Sequence, residues 1–203
     1  MLPYSRGRLG GNMTRAAARA ALTGFLLLGL AAPAAAFQPG GPSSYMVDNE
    51  TVHAARTGNN SKLQTELIKG ISPNEAGRDR IPMLLLAAAN GHLSTVQLLL
   101  EYGADPNRRS PDGSTPLSIV SLSGRADIAD ALLQAGADPN RAGSNRDLPL
   151  FIAVRARQSA IVEVLLRHGV DIQETDMTGR SALDLAEDNH YREIAAMLRA
   201  AGA

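Results

Sequence analysis

Gly103-Ala104-Asp105-Pro106-Asn107 returns letter for letter as Gly136-Ala137-Asp138-Pro139-Asn140. The same frame holds GISPN at 70–74 and GVDIQ at 169–173. Gly70, Gly103, Gly136, Gly169 and Gly202 therefore fall 33 residues apart each time. A second series keeps that spacing: Gly58, Gly91 and Gly124, continued by Arg157 and His190. The segments VHAARTGN (52–59), LLAAANGH (85–92), SIVSLSGR (118–125), FIAVRARQ (151–158) and DLAEDNHY (184–191) align in one register without gaps. A fixed period of this length marks a solenoid, in which each unit buries its neighbour's apolar face.

One period shows how a unit is built. Leu84–Asn90 is apolar and Ala-rich, and Ser94–Tyr102 carries Val96, Leu99 and Leu100 at helical spacing. Gly91 and Gly103 close these two stretches, where a positive φ is needed. The segment Asp105–Gly113 then turns, with Pro111-Asp112-Gly113 as its turn chemistry. Neither stretch is long enough to hold a helix alone in water, so packing between units must supply the stability. The pattern predicts an all-α solenoid of about five stacked helix-turn-helix units with hairpin-like turns, over residues 48–76, 77–109, 110–142, 143–175 and 176–203.

With the 33-residue period, Ser114-Thr115-Pro116-Leu117, Ala87-Ala88-x-x-Gly91-His92 and the two Gly-Ala-Asp-Pro-Asn segments, the chain resembles the ankyrin-repeat family over about 48–203. The resemblance implies a stack whose hairpin tips and inner helix ends form a concave protein-binding surface. No unit carries the full Thr-Pro-Leu-His of that family. Its His position is Val52, Leu85, Ser118, Phe151 and Asp184 here. That His helps fix each turn in the family, so the resemblance implies an array without a recurrent polar clamp. The unit 143–175 also departs, with Arg157 in place of the glycine that ends helix one and a polar loop, Gly143-Ser144-Asn145-Arg146. The polar first unit and the charged last unit (Glu187, Asp188, Arg192, Glu193, Arg199) read as caps.

The N-terminal segment is an address. Residues 15–36 read RAAARAALTGFLLLGLAAPAAA, with two arginines before an apolar run and Ala34-Ala35-Ala36 after Pro33. This predicts a secretory signal peptide over residues 1–36, cut after Ala36. A retained anchor and a buried helix are the alternatives, and the run is short for a membrane span. Met13–Ala36 alone would make a complete signal. Residues 37–47 (FQPGGPSSYMV) read as a flexible lead-in. The expected location is the periplasm of a bacterium, with secretion as the alternative.

Composition narrows the function. The 20 basic and 20 acidic side chains balance. Residues 37–203 keep 16 basic against 20 acidic, a formal charge of −4 (16 − 20), which gives no global signal for nucleic acid. The absence of cysteine excludes a disulfide framework, thiolate metal sites and a Cys nucleophile. With no Trp and three Phe, the core must be built from Leu, Ile, Val and Ala.

Searching for chemistry gives little. His53, His92, His168 and His190 form no H-x-x-x-H pair, and three sit at ordinary repeat positions. Asp105, Asp138 and Asp171 recur at one level of the stack, which could suggest a cation ladder. The plainer reading is that each satisfies backbone groups just after a helix. No nucleophile elbow, phosphate loop or H-E-x-x-H is present. No enzyme activity, cofactor or metal is therefore expected.

The turn face remains. The register places Arg56, Arg78, Asp79, Arg109, Asp112, Ser114, Leu122, Asn145, Arg155, Met177 and Arg180 on the binding surface that the resemblance implies. Arginine is common there, and it suits protein interfaces and carboxylate partners. The plainer reading is that basic tips keep the stack soluble, since Asp79, Asp112, Asp147 and Asp176 are interspersed. The expected function is a monomeric scaffold for a partner protein. The alternatives are a secreted effector against a host or competitor protein, and a helper protecting an exported stress-defence enzyme.

Overall fold

The computed structural model describes residues 50–203. The expected signal peptide and lead-in, with Asp48 and Asn49, lie outside the described residues. Ten short helices follow in pairs: α1 (Glu50–Thr57) and α2 (Asn60–Ile68), α3 (Met83–Ala89) and α4 (Leu93–Glu101), α5 (Pro116–Ser123) and α6 (Ala126–Gln134), α7 (Pro149–Arg155) and α8 (Ser159–Arg167), α9 (Ala182–Asp188) and α10 (Arg192–Ala200). Each first helix packs on the next first helix, α1 to α3 to α5 to α7 to α9, and the second helices form a parallel row from α2 to α10. Among the described residues this is an all-α, two-layer solenoid, and none of its helices is long and apolar enough to cross a membrane.

The core repeats with the sequence. Leu99, Leu132, Leu165 and Leu198 stand 33 residues apart in the second helices and are all fully buried. Ala54, Ala87, Val120, Ala153 and Ala186 form the matching column in the first helices, where small side chains let neighbouring helices approach. Cutting one of these leucines to Ala should cost about 2–5 kcal/mol, because the rigid neighbours cannot collapse into the space.

The junction inside each pair is the same five times. Residue 58, 91, 124, 157 or 190 takes a positive φ between 55° and 76°. The next amide then bonds back to a first-helix carbonyl, as His92 does to Ala87 at 3.0 Å and Tyr191 to Ala186 at 2.8 Å. Glycine at 91 serves two needs. Its φ is +76°, and an added Cβ would run into the guanidinium that Arg125 lays over it from the next unit. Arg157 and His190 adopt the conformation without glycine's freedom. Arg157 sits 5.6 Å from the Tyr191 ring centroid, a cation–π contact that offsets part of that cost.

The expected lack of a recurrent polar clamp is corrected by the structure. A clamp exists, but on the opposite loop. Asn107 Nδ2 donates to the Gly136 carbonyl at 2.9 Å while its Oδ1 accepts from the Asp138 amide at 2.8 Å. Asn74 does the same toward Gly103 and Asp105, at 3.3 and 2.8 Å. Asn140 accepts from the Asp171 amide at 2.8 Å, and Gln173 donates to the Gly202 carbonyl at 3.3 Å. One amide side chain per unit thus stitches each unit to the next. At the family's His position, Ser118 and Asp184 still make local capping boxes with Thr115 and Ser181.

Candidate protein-binding face

The tips between units share one backbone frame. Gly77, Ser110, Gly143 and Asp176 each donate their amide to the carbonyl four residues on (Ile81, Ser114, Asp147 and Arg180), at 2.8–3.0 Å. On this frame the side chains differ. Arg78, Asp79 and Arg80 are exposed on the first tip. On the second, Asp112 takes the Ser110 hydroxyl on Oδ1, the Ser114 amide on Oδ1 at 3.1 Å and the Ser114 hydroxyl on Oδ2 at 2.9 Å. The Ser110 hydroxyl, then the Ser114 amide and hydroxyl, hold the Asp112 carboxyl below its ordinary range.

The third tip is a 3-10 turn, Ser144–Arg146, in which both Asn145 and Arg146 have positive φ. Asp147 leaves it to form an ion pair with Arg155 of α7 at 2.6 Å. The fourth is organised by Asp176, which accepts from the Thr178 hydroxyl at 2.5 Å and from the Thr178 and Arg180 amides. These bonds, the hydroxyl foremost, and the Arg180 guanidinium draw the Asp176 carboxyl down to about 2. Arg180 also reaches Asp188 at 3.5 Å.

Two clefts open among these parts. The larger, about 310 Å³, lies between α5 and α7. Ser118, Ile119 and Leu122 form one wall, Ile152, Arg155 and Ala156 the other, and Ser144, Asn145 and Asp147 of the third tip close one end. That tip sits directly on α5, since a Cβ added to Gly143 would come within 2.5 Å of Ser118 Cβ. The smaller, about 230 Å³, lies between the third and fourth tips, with Arg146 and Met177 among its lining. Leu122 is 61 % exposed and Met177 79 %, so each offers apolar surface at the edge of a cleft.

Comparison with known families matches ankyrin repeats, three copies, over residues 52–143 and one further ankyrin repeat over residues 145–177. The chain belongs to the ankyrin-repeat family. No curated protein matches it. The ankyrin array continues structurally past the matched region, because α9 and α10 repeat the pairing of the earlier helices up to Ala200. Ankyrin repeats are in general protein–protein interaction modules.

Within the array, Leu122, Asn145 and Arg155 come together around the larger cleft. Arg56 is half-buried in the last turn of α1, where its carbonyl meets His92 Nε2 at 3.1 Å. Arg78, Asp79 and Arg109 are exposed on the first two tips, and Arg180 is occupied by Asp176 and Asp188. Ser114 differs from expectation. It is buried, 3 % exposed, with its hydroxyl on Asp112, so it shapes the tip rather than offering contact surface. Ile119 and Ile152 were not singled out from the sequence, because half-buried apolar residues of a first helix read as core. The cleft between neighbouring first helices exposes them. Asp105, Asp138 and Asp171 each accept from the amide two residues on, at 2.8–2.9 Å, as turn residues do.

Proposed function

We propose that this ankyrin array is a non-enzymatic scaffold of the cell envelope that holds a partner protein on its tips and on the exposed face of its first helices. Leu122 carries this reading. Leu122 is 61 % exposed beside a cleft between neighbouring first helices, and an apolar side chain presented next to a cleft is what an interface anchor requires. Asn145, Asp147 and Arg155 supply a polar rim to the same cleft, and the last two are locked together by an ion pair at 2.6 Å. Export follows from the expected signal peptide, and the periplasm is the proposed site of action.

The test is affinity capture of the tagged protein from the cell envelope with mass spectrometry, comparing wild type with Leu122→Ser. A true anchor costs about 1–2 kcal/mol when truncated, roughly five- to thirtyfold in Kd. The expected result is a partner recovered by the wild type and strongly depleted for the variant, at equal folded yield. Equal recovery by both proteins removes the cleft from the interface. Arg155 is a poor probe, since reversing its charge would set a carboxylate against Asp147 and disturb the third tip itself.

A further inference from the structure

We infer that the α5–α7 cleft receives an uncharged segment of the partner protein, which seats an aliphatic side chain beside Leu122 and lays its backbone against Asn145. This deepens the scaffold reading and rests on it. The charges at the cleft cancel. Among its lining residues only Asp147 and Arg155 are ionic, and they pair with each other at 2.6 Å. A charged side chain entering here would shed water without meeting a free counter-ion, an unfavourable exchange. An aliphatic side chain gains instead, because it covers the apolar surface of Ile119, Leu122, Ile152 and Ala156.

The uncharged polar groups of the cleft divide into spent and available. The Ser118 hydroxyl donates to the Thr115 carbonyl at 2.8 Å and accepts from the Thr115 amide at 2.9 Å. The Leu122 carbonyl accepts from Gln158 Nε2 at 3.3 Å, so Leu122 offers its apolar side chain alone. The Asn145 carboxamide enters no hydrogen bond among the described residues. A carboxamide holds a donor and an acceptor side by side, the same pair that a peptide unit of extended backbone presents. Asn145 stands on the tip at a φ of +57°, and that tip rests on α5 where Gly143 meets Ser118, so the carboxamide is offered from a fixed backbone. The volume of about 310 Å³ suits one or two aliphatic side chains. A lipid acyl chain needs a longer apolar path, and Ser144 and Asn145 stop that path at the tip. A neutral peptide segment with a leucine-like anchor meets both the apolar walls and the amide at their end.

The experiment titrates the purified, isotope-labelled protein with synthetic probes and follows its amide resonances by NMR, which also locates the binding. The first probe is a short capped peptide of Ser and Asn around a central Leu. A second replaces that Leu by Ser, and two more keep the Leu but flank it with Asp or with Lys. Octyl glucoside below its micelle concentration supplies a neutral alkyl chain. The expected result is a set of shifts centred on Leu122, Asn145 and Ile152, with the neutral Leu peptide bound at least about fivefold tighter than its Ser analogue. Its affinity should change by less than about twofold as NaCl rises from about 0.05 to 0.3 M, and neither charged peptide should bind tighter. Ala156→Leu fills the cleft and should weaken the Leu peptide at least about fivefold at unchanged helicity. Leu122→Ser should bring the Leu peptide down to the level of its Ser analogue. Asn145→Gly keeps the positive φ, removes the carboxamide and should weaken binding about threefold. Equal binding of the Leu and Ser peptides, a charged peptide bound about fivefold tighter than the neutral one, indifference to both Ala156→Leu and Leu122→Ser, or a cleft that takes octyl glucoside and not the Leu peptide would overturn the inference. If envelope capture still depends on Leu122 while Ala156→Leu leaves it untouched and the neutral Leu peptide fails, the scaffold reading stands and the neutral occupant falls.

Discussion

The two loop sides of the array follow opposite rules. On one side Asn74, Asn107, Asn140 and Gln173 repeat nearly the same side chain, and each bonds backbone groups of the next unit. On the other side the tips keep only their backbone bond, and each is held by different side chains: hydroxyls on Asp112, an ion pair from Asp147, a hydroxyl and amides on Asp176. Where the demand is stacking, every unit faces the same demand and one solution recurs. Where the surface is free of that demand, side chains diverge on a constant frame. Divergence on a fixed frame is how a repeat protein acquires a specific face without risking its fold.

The comparison can be broken most directly on the uniform side. Asn107→Ala combined with Asn140→Ala removes clamps at two successive unit boundaries and should cost about 2 kcal/mol, near 1 per site at this exposure. Urea unfolding measures it, and a loss near zero would mean the Asn row is ornamental. Gly91→Ala should cost about 1–2 kcal/mol, from the positive φ and from displacement of the Arg125 guanidinium. Its mirror is His190→Gly at the same repeat position, where φ is +58°. That change should stabilise by up to about 1 kcal/mol. Opposite signs at equivalent positions would establish that the backbone, and not the side chain, sets the requirement there.

On the variable side the expected stability effects are smaller. Leu122→Ser should shift the folding free energy by less than about 0.5 kcal/mol, since an exposed side chain loses little on unfolding. A larger loss would make Leu122 structural and weaken its role as an anchor. The smallest effect belongs to Asp176, whose carboxyl lies near 2 in the folded chain against an ordinary 3.8. A depressed folded value favours the folded state above about pH 4, and that contribution fades as pH falls toward 2. Asp112 and Asp184 act in the same direction. Asp176→Asn should therefore lower the melting temperature slightly at neutral pH and flatten the acid limb between pH 4 and 2, so that a thermal-melt series of the two proteins converges near pH 2.

Much of this was legible in the sequence. The glycine series fixed the unit length, and the apolar residues between them fixed which helix faces are buried. Leu122 and Met177 could be placed on the exposed face from register alone, and they are exposed. Ser114 could not. Its burial depends on Asp112 folding back over the second tip, a contact no spacing rule contains. The Asn row was visible as a repeated letter and was not read as a clamp, because its partners lie 29 and 31 residues away, in the next unit.

By itself the sequence determined the period, the helix pairs and the continuous apolar core, because these depend on local spacing and on burial that every unit must satisfy alike. Only the tertiary structure decided which arginines enter ion pairs, Arg155 with Asp147 and Arg180 with Asp176 and Asp188. It also decided that Ile119 and Ile152 line an open cleft. The reason is physical: charge pairing and cleft shape are set between side chains of different turns and helices, so they exist only once the units are stacked.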